Sequence, residues 1–239
     1  MILILGGTGE AHRLASALER PFTLSLAGAT RRPQPRPYPL RSGGFGGVEG
    51  LAAYLRAKNI AALIDATHPF AARISRNAVA AARATSTPLL RLERPAWEPQ
   101  PDWHVVPDIA AAASVLPPQA RAFLTVGSQH LASFAARKDI WCLTRAIEPP
   151  AQPPRGEVLL QRPPFTPAAE TVLMRHHAIT HLVSKNAGGA QTRAKLDAAA
   201  ALGLPVIMVA RPELPLAETA GTIKDALEWI RHNAGRQGK

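Results

Sequence analysis

One cysteine stands in the 239 residues of the chain. Cys142 therefore has no partner for an intramolecular disulfide and no second thiolate for a metal site, which fits a reducing compartment. Long apolar runs are missing too. None approaches the roughly 20 residues of a membrane span, and the apolar stretch at the N-terminus is too short, and lacks the basic lead, for a secretory signal. The expectation is a cytoplasmic chain with no membrane contact. Acids are scarce: 17 Asp and Glu face 28 Lys and Arg, for a net charge of +11. No basic block or tail concentrates that charge. Residues 1–120 hold 13 Lys and Arg against 8 acids, and residues 121–239 hold 15 against 9. Nucleic-acid binding normally announces itself as a basic patch or tail, so an anionic small molecule explains the surplus as well as a phosphate backbone would.

With 46% hydrophobic and 19% charged residues the composition is that of a folded globular chain. Its organising stretch is the first dozen residues. Ile2-Leu3-Ile4-Leu5 has no polar alternation and reads as a strand buried on both faces of a parallel sheet. Gly6-Gly7-Thr8-Gly9-Glu10 follows at once, and Leu14, Ala15 and Leu18 lie at helical spacing. A glycine turn that opens a helix offers backbone N–H groups to a phosphate. The fit to G-x-G-x-x-G is imperfect, because His12 occupies the place of the third small residue.

Phe22–Ala27 reads as the second strand, and Thr30, Arg31 and Arg32 follow it with no acid nearby. An arginine at this place suits the 2′-phosphate of NADP, where an acid would suit the ribose of NAD. Prolines at 33, 35, 37 and 39 make a stiff extended segment that delivers Arg41-Ser42-Gly43-Gly44-Phe45-Gly46-Gly47. Bare backbone of this kind can lie against a flat ligand or a pyrophosphate. Residues 61–66 form the next buried strand and run into Thr67-His68, at the strand end where open α/β sheets collect ligands.

The proline-rich stretch from Glu93 to Asp102 predicts a boundary, with one domain over 1–97 and a second over 98–239. The second half repeats the βα rhythm. Its most informative stretch is the strand His181-Leu182-Val183 running into Ser184-Lys185-Asn186-Ala187-Gly188-Gly189, ahead of a helix and the strand 206–209. Three polar side chains separate that strand from its glycines, which suits substrate better than a second phosphate cradle. No metal-ligand constellation is present in the sequence.

Together the blocks ILILGGTGEA, RSGGFGG, IDATHPFA, SKNAGG and PVIMVARP, in this order from Met1 to Pro212, resemble the precorrin-6A reductases of cobalamin biosynthesis. The resemblance implies an α/β fold of two Rossmann-like domains with mainly parallel sheets, and an active site in the cleft between them. It implies NADPH as hydride donor and a polycarboxylate tetrapyrrole as substrate, one of whose double bonds is reduced. Dispersed Arg and Lys would steer such a polyanion. By the same resemblance Gly7, Thr8, Gly9 and Glu10 hold the pyrophosphate, Thr30 and Arg31 the adenosine phosphate, and Gly43 to Gly47 the middle of the cofactor. Thr67 and His68 flank the nicotinamide, with His68 the catalytic candidate. Arg41, Ser184, Lys185, Asn186, Gly188 and Gly189 face the substrate. The chain is expected to act as a monomer, in transient contact with neighbouring pathway enzymes.

Three alternatives stand beside this reading. One is a cobalt-precorrin-6A reductase, which takes the metal-bound macrocycle. Another is a non-catalytic NADP-binding sensor or a nucleic-acid module. The third is a reductase with a Tyr-x-x-x-Lys pair, but Tyr38 has Ser42 four residues on, and Tyr54 with Lys58 lies mid-helix, too early in the chain for that role.

Overall fold

The computed structural model describes residues 1–28, 37–190 and 192–234, and these fall into two compact units. Unit 1 opens with β1 (Ile2–Leu5), α1 (Gly9–Ala17), β2 (Phe22–Leu26), β3 (Leu40–Ser42), α2 (Val48–Ala57), β4 (Ala62–Asp65), α3 (Ala72–Thr85) and β5 (Leu89–Leu92). Unit 2 follows with β6 (Trp103–Val106), α4 (Ile109–Ser114), β7 (Arg121–Thr125), a 3-10 turn (Ser128–His130), α5 (Ala132–Ala136), β8 (Trp141–Ala146), β9 (Gly156–Leu160), α6 (Pro167–His176), β10 (His181–Lys185), α7 (Ala194–Ala201) and β11 (Val206–Val209). The chain then adds β12 (Glu218–Ala220) and α8 (Ile223–Asn233) to unit 1.

Each unit carries one six-stranded sheet in which the pairings are parallel, as expected for an α/β chain. The order in unit 1 is β12-β5-β4-β1-β2-β3 and in unit 2 it is β6-β11-β10-β7-β8-β9. The two orders superimpose strand for strand, β1 on β7 and β4 on β10. Each half of the sequence thus builds five strands of one sheet and gives its last strand to the other.

The expected division into 1–97 and 98–239 is corrected accordingly. The first boundary falls at Pro95 and Ala96, close to the proline-rich stretch, but the chain from Glu213 onward belongs to unit 1. The reason is tertiary: Glu218↔Leu90 and Ala220↔Leu92 pair β12 with β5, while Ala226 and Ile230 of α8 are buried in the same cluster as Leu14 of α1.

The run at β1 is buried on both faces, as its composition demands. Ile2 and Ile4 pack toward α1 and α8, and Leu3 and Leu5 pack toward Leu51 and Leu55 of α2 and Ala78 of α3. Burying four such side chains contributes about 1.5–3 kcal/mol each, which fixes β1 at the centre of its sheet. In unit 2, Phe123, Leu143, Leu182 and Met208 form the equivalent core with Met174 of α6 and Leu196 of α7. Trp97, inside the proline-rich boundary stretch, is 6% exposed and belongs to that core.

Candidate functional site

Strand order reverses once in each sheet. In unit 1 the chain goes from β1 outward to β2 and β3, then returns to β4 on the other side. The loops that leave β1 and β4 therefore flank an open crevice, the common ligand position in such sheets.

After β1, Gly6 is required by close approach: a Cβ there would meet Leu24 Cδ1 at 2.5 Å and Ala11 Cβ at 3.3 Å. Thr8 caps α1, its Oγ1 accepting from Ala11 N at 3.1 Å and donating to the carbonyl of Ala66 at 2.8 Å. That second bond ties the loop after β1 to the end of β4. The Thr8 hydroxyl is thus committed to the fold, and only its backbone is offered to a ligand. Glu10 is similarly engaged. Burial works against its ionisation, but Arg94 at 2.7 Å and Arg13 at 2.9 Å outweigh that and hold the carboxyl below its ordinary value. Its side chain, an anion, is no phosphate ligand. Thr8, Glu10, Thr67 and Arg94 line a small recess.

Beside it lies a cavity of about 440 Å³ lined by Leu5, Gly6, Ser25, Ala27, Gly43 to Gly47, Thr67, Arg73, Ile74 and Asn77. Of the residues expected at the cofactor, Gly43, Gly44, Phe45, Gly46, Gly47 and Thr67 are brought together here. Gly43, Gly46 and Gly47 have φ of 110°, 78° and 98°, a region L side chains avoid, and a Cβ on any of them or on Gly44 would meet open space. Arg41 is not in the cavity wall. Its guanidinium lies 3.8 Å from the Phe45 ring centroid and donates to the carbonyls of Gly43 and Gly44 and to Ser25 Oγ. It holds the glycine loop in shape, and those bonds correct its placement as a substrate ligand.

At the end of β4, Asp65 is 2% exposed, and its Oδ1 accepts from Thr67 N at 3.2 Å and Thr67 Oγ1 at 2.7 Å. His68 is exposed, and its Nδ1 accepts from Phe70 N at 3.2 Å. That bond leaves the proton of the neutral ring on Nε2. Thr30 and Arg31 lie outside the described residues. Sequence reading passed over Ser25, Asp65, Arg73 and Asn77; the i, i+4 spacing of the last two on the helix after Thr67-His68 was the available signal.

In unit 2, Ser184 is fully buried, so its assignment to substrate is corrected. Asn186 is corrected as well: its Oδ1 accepts from Trp97 N at 2.8 Å and its Nδ2 donates to Trp97 O at 2.9 Å. Trp97 Nε1 in turn donates to Gly189 O, and Arg211 donates to the carbonyls of Asn186 and Ala187. The turn is clamped by its own polar groups. Lys185, at the end of β10, is half-buried, and burial pushes its ammonium down to about 8. His130 stands near enough to feel that charge and is also lowered, first by burial and then by Lys185. Gly188 and Gly189 turn the chain with φ of 69° and 78°.

The unit 1 cavity fits a dinucleotide chemically: bare glycine backbone for a flat or pyrophosphate segment, one cation in Arg73, and hydroxyl and amide groups in Ser25, Thr67 and Asn77. No cluster of three His, Cys, Asp or Glu able to hold a metal occurs among the described residues, and none of their helices is long and apolar enough to cross a membrane.

Comparison with known proteins agrees with these features. The family model described as precorrin-6x reductase CbiJ/CobK matches residues 1–231. A precorrin-6A reductase of Rhodococcus erythropolis is 51% identical over 239 residues, spanning 96% of each chain. A cobalt-precorrin-6A reductase of Priestia megaterium is 27% identical over 252 residues, spanning 97% of each. A solved structure described as CobK precorrin-6A reductase shares 44% identity at a TM-score of 0.91, covering 97% of this chain and 96% of that one.

Proposed function

The chain belongs to the precorrin-6x reductase family, and on that premise we propose that it reduces one double bond of precorrin-6A to give precorrin-6B, a step of cobalamin biosynthesis, with NADPH as hydride donor. The observation that carries the cofactor assignment is the unit 1 cavity, whose wall is the bare loop Gly43 to Gly47 at the ends of parallel strands. When bound there, NADPH supplies the hydride.

The chain's own groups do the rest. Backbone N–H groups of Gly7, Thr8 and Gly9 at the start of α1 face the pyrophosphate, since its helix end favours an anion. Gly43 to Gly47 let the middle of the cofactor lie close, and Thr67, fixed by Asp65, and His68 border the nicotinamide end. Arg31, with Thr30, reads the adenosine phosphate. His68 stands at the edge of the site; on taking a proton from solvent its ring becomes the imidazolium, which can pass that proton to the ring carbon next to the one that takes hydride and return to the neutral form. Lys185, Gly188 and Gly189 receive the tetrapyrrole.

The metal-free substrate is favoured over the cobalt-bound one by the relatives: 51% identity to a precorrin-6A reductase against 27% to a cobalt-precorrin-6A reductase. On this reading the enzyme is a cytoplasmic monomer in transient contact with neighbouring pathway enzymes.

Anaerobic incubation of the protein with precorrin-6A and NADPH, followed by the pigment's absorbance, tests the proposal. The expected result is stoichiometric NADPH oxidation with a shift of the pigment spectrum, weaker with NADH and weaker with cobalt-precorrin-6A. Arg31→Ala should cost NADPH binding about 1.5–3 kcal/mol and leave NADH unchanged. An unchanged spectrum with intact pigment and NADPH overturns the assignment.

A further inference from the structure

A threonine hydroxyl that is free to turn can donate or accept, and so discriminates poorly between ligands. The hydroxyl of Thr67 is not free. Thr67 is half-buried at the end of β4 and stands in the wall of the unit 1 cavity with Gly43 to Gly47, Arg73 and Asn77. Its Oγ1 donates to Asp65 Oδ1 at 2.7 Å, and the same carboxylate oxygen accepts from Thr67 N at 3.2 Å. Backbone and side chain of Thr67 are thus held by one acceptor.

That acceptor is itself locked in place. Asp65 is 2% exposed, the register sets it beside Leu5 of β1 and Arg91 of β5, and Arg91 Nε stands 3.7 Å from its Oδ2. A carboxylate paired with a guanidinium accepts and does not donate, so the single proton of the Thr67 hydroxyl is spent on Asp65. Ser75 Oγ lies 3.4 Å from Thr67 Oγ1, from the first turns of α3. Beside an oxygen whose proton is committed, Ser75 is the donor, and at that length it engages one lone pair at most. The hydroxyl therefore meets a ligand with a lone pair and no proton.

An acceptor of fixed polarity calls for a ligand group that donates. Strand order places β2 on one side of β1 and β4 on the other, so Thr67 stands at the end of the crevice opposite the adenosine half of a dinucleotide. At that end the nicotinamide carries its carboxamide, whose nitrogen has two N–H groups and whose oxygen needs a donor. Arg73 and Asn77 of α3 bring N–H donors to the same wall, and the Ser75 contact sets their helix against Thr67. The wall thus matches both halves of an amide.

We infer that Thr67 is a specificity-determining residue for the nicotinamide end of the cofactor: its hydroxyl, kept a pure acceptor by buried Asp65, receives an N–H of the carboxamide and fixes how the ring lies. This rests on the NADPH reading of the cavity. Asp65 acts through Thr67 and is a positioning residue.

The test is equilibrium titration of the protein, without tetrapyrrole, against three probes. One is NADP⁺. Another is its acetylpyridine analogue, in which a methyl ketone replaces the carboxamide and the N–H groups are lost. The third is adenosine 2′,5′-bisphosphate, which lacks the nicotinamide end altogether. Wild type should bind NADP⁺ about 10-fold more tightly than the analogue, the effect of one neutral hydrogen bond whose acceptor is left unmet. A hydroxyl able to turn would donate to the ketone and show little preference, so equal wild-type affinities overturn the inference and leave the NADP reading standing. Thr67→Val should weaken NADP⁺ about 10-fold, to the level of the analogue, with the bisphosphate unchanged. Thr67→Ser, which keeps the hydroxyl, should restore the preference. Equal loss of all three probes in Thr67→Val also overturns the inference, because the residue would then serve the fold alone. Asp65→Leu combined with Arg91→Met frees the hydroxyl to turn and should bring the two dinucleotides within about 3-fold of each other. A wild-type preference in that double variant overturns the part given to Asp65. A wild-type protein that binds none of the three probes overturns the NADPH reading itself, and the inference with it.

Discussion

Asp65 Oδ2 and Arg91 Nε stand 3.7 Å apart inside unit 1, on paired positions of β4 and β5, and neither atom has a hydrogen-bond partner. The carboxylate spends its other oxygen on Thr67, and the guanidinium spends another nitrogen on Pro215 O at 3.2 Å. The pair therefore links the end of β4, where the nicotinamide is proposed to lie, to the segment that returns from unit 2.

Breaking that pair on one side leaves a buried charge uncompensated. Asp65→Leu should destabilise the protein by about 3–5 kcal/mol, whereas Asp65→Leu combined with Arg91→Met should recover most of the loss. Urea unfolding of the three proteins decides the matter. A double variant no more stable than Asp65→Leu would show that the bonds to Thr67 and Pro215, and not the charges, carry the effect.

Gly44 separates the demands of fold and ligand within the glycine loop. Unlike Gly43, Gly46 and Gly47 it lacks a positive φ, and a Cβ there meets nothing within 4 Å. Gly44→Ala should leave the melting temperature within about 2 °C, since surface changes of this kind cost under about 0.5 kcal/mol. NADPH affinity should nevertheless fall, because the methyl stands where the cofactor approaches. Unchanged NADPH binding would move the cofactor away from this loop.

His68 is proposed as proton donor, and its Nδ1 is committed to Phe70 N. His68→Asn removes the titrating group and should lower kcat by roughly 10²–10⁴ with NADPH binding retained. Single-turnover absorbance under saturating NADPH measures this. A kcat within a few-fold of wild type would reduce His68 to a positioning residue, the proton then coming from water.

Glu10 makes acid stability dependent on α1. Its carboxyl is held below its ordinary value in the fold, so it binds protons less readily folded than unfolded. Its contribution is therefore fully present above the ordinary value of 4.5 and is lost as pH falls through the lower folded value. Wild type should exceed Glu10→Gln in stability at pH 7, and the gap should close as pH falls from 4.5 through the lower folded value. Denaturant midpoints at several pH values provide the comparison, and a gap independent of pH would exclude the ion pairs with Arg94 and Arg13 as its source.

The local features of this molecule were open to reading from the chain alone. Ile2 to Leu5 has no polar face, so it can only be a doubly buried strand, and the glycines after it and at 43–47 mark backbone that must turn or be approached closely. Thr67-His68 and Lys185 follow apolar runs and so had to lie at strand ends. What the chain could not disclose depends on which strands become neighbours. Glu218-Thr219-Ala220 has no hydrophobic period, and only its pairing with β5 makes it a strand and returns the C-terminal helix to unit 1. The polar residues of the SKNAGG block look alike in sequence, yet packing buries Ser184 and Asn186 pairs with Trp97, a residue 89 positions away. Arg73 joins the cavity wall beside the glycine loop 43–47 in the same long-range way. Periodicity fixes a residue's face and its element. Its partner is decided by sheet order, which is set by the burial of whole strands against one another and has no local signature.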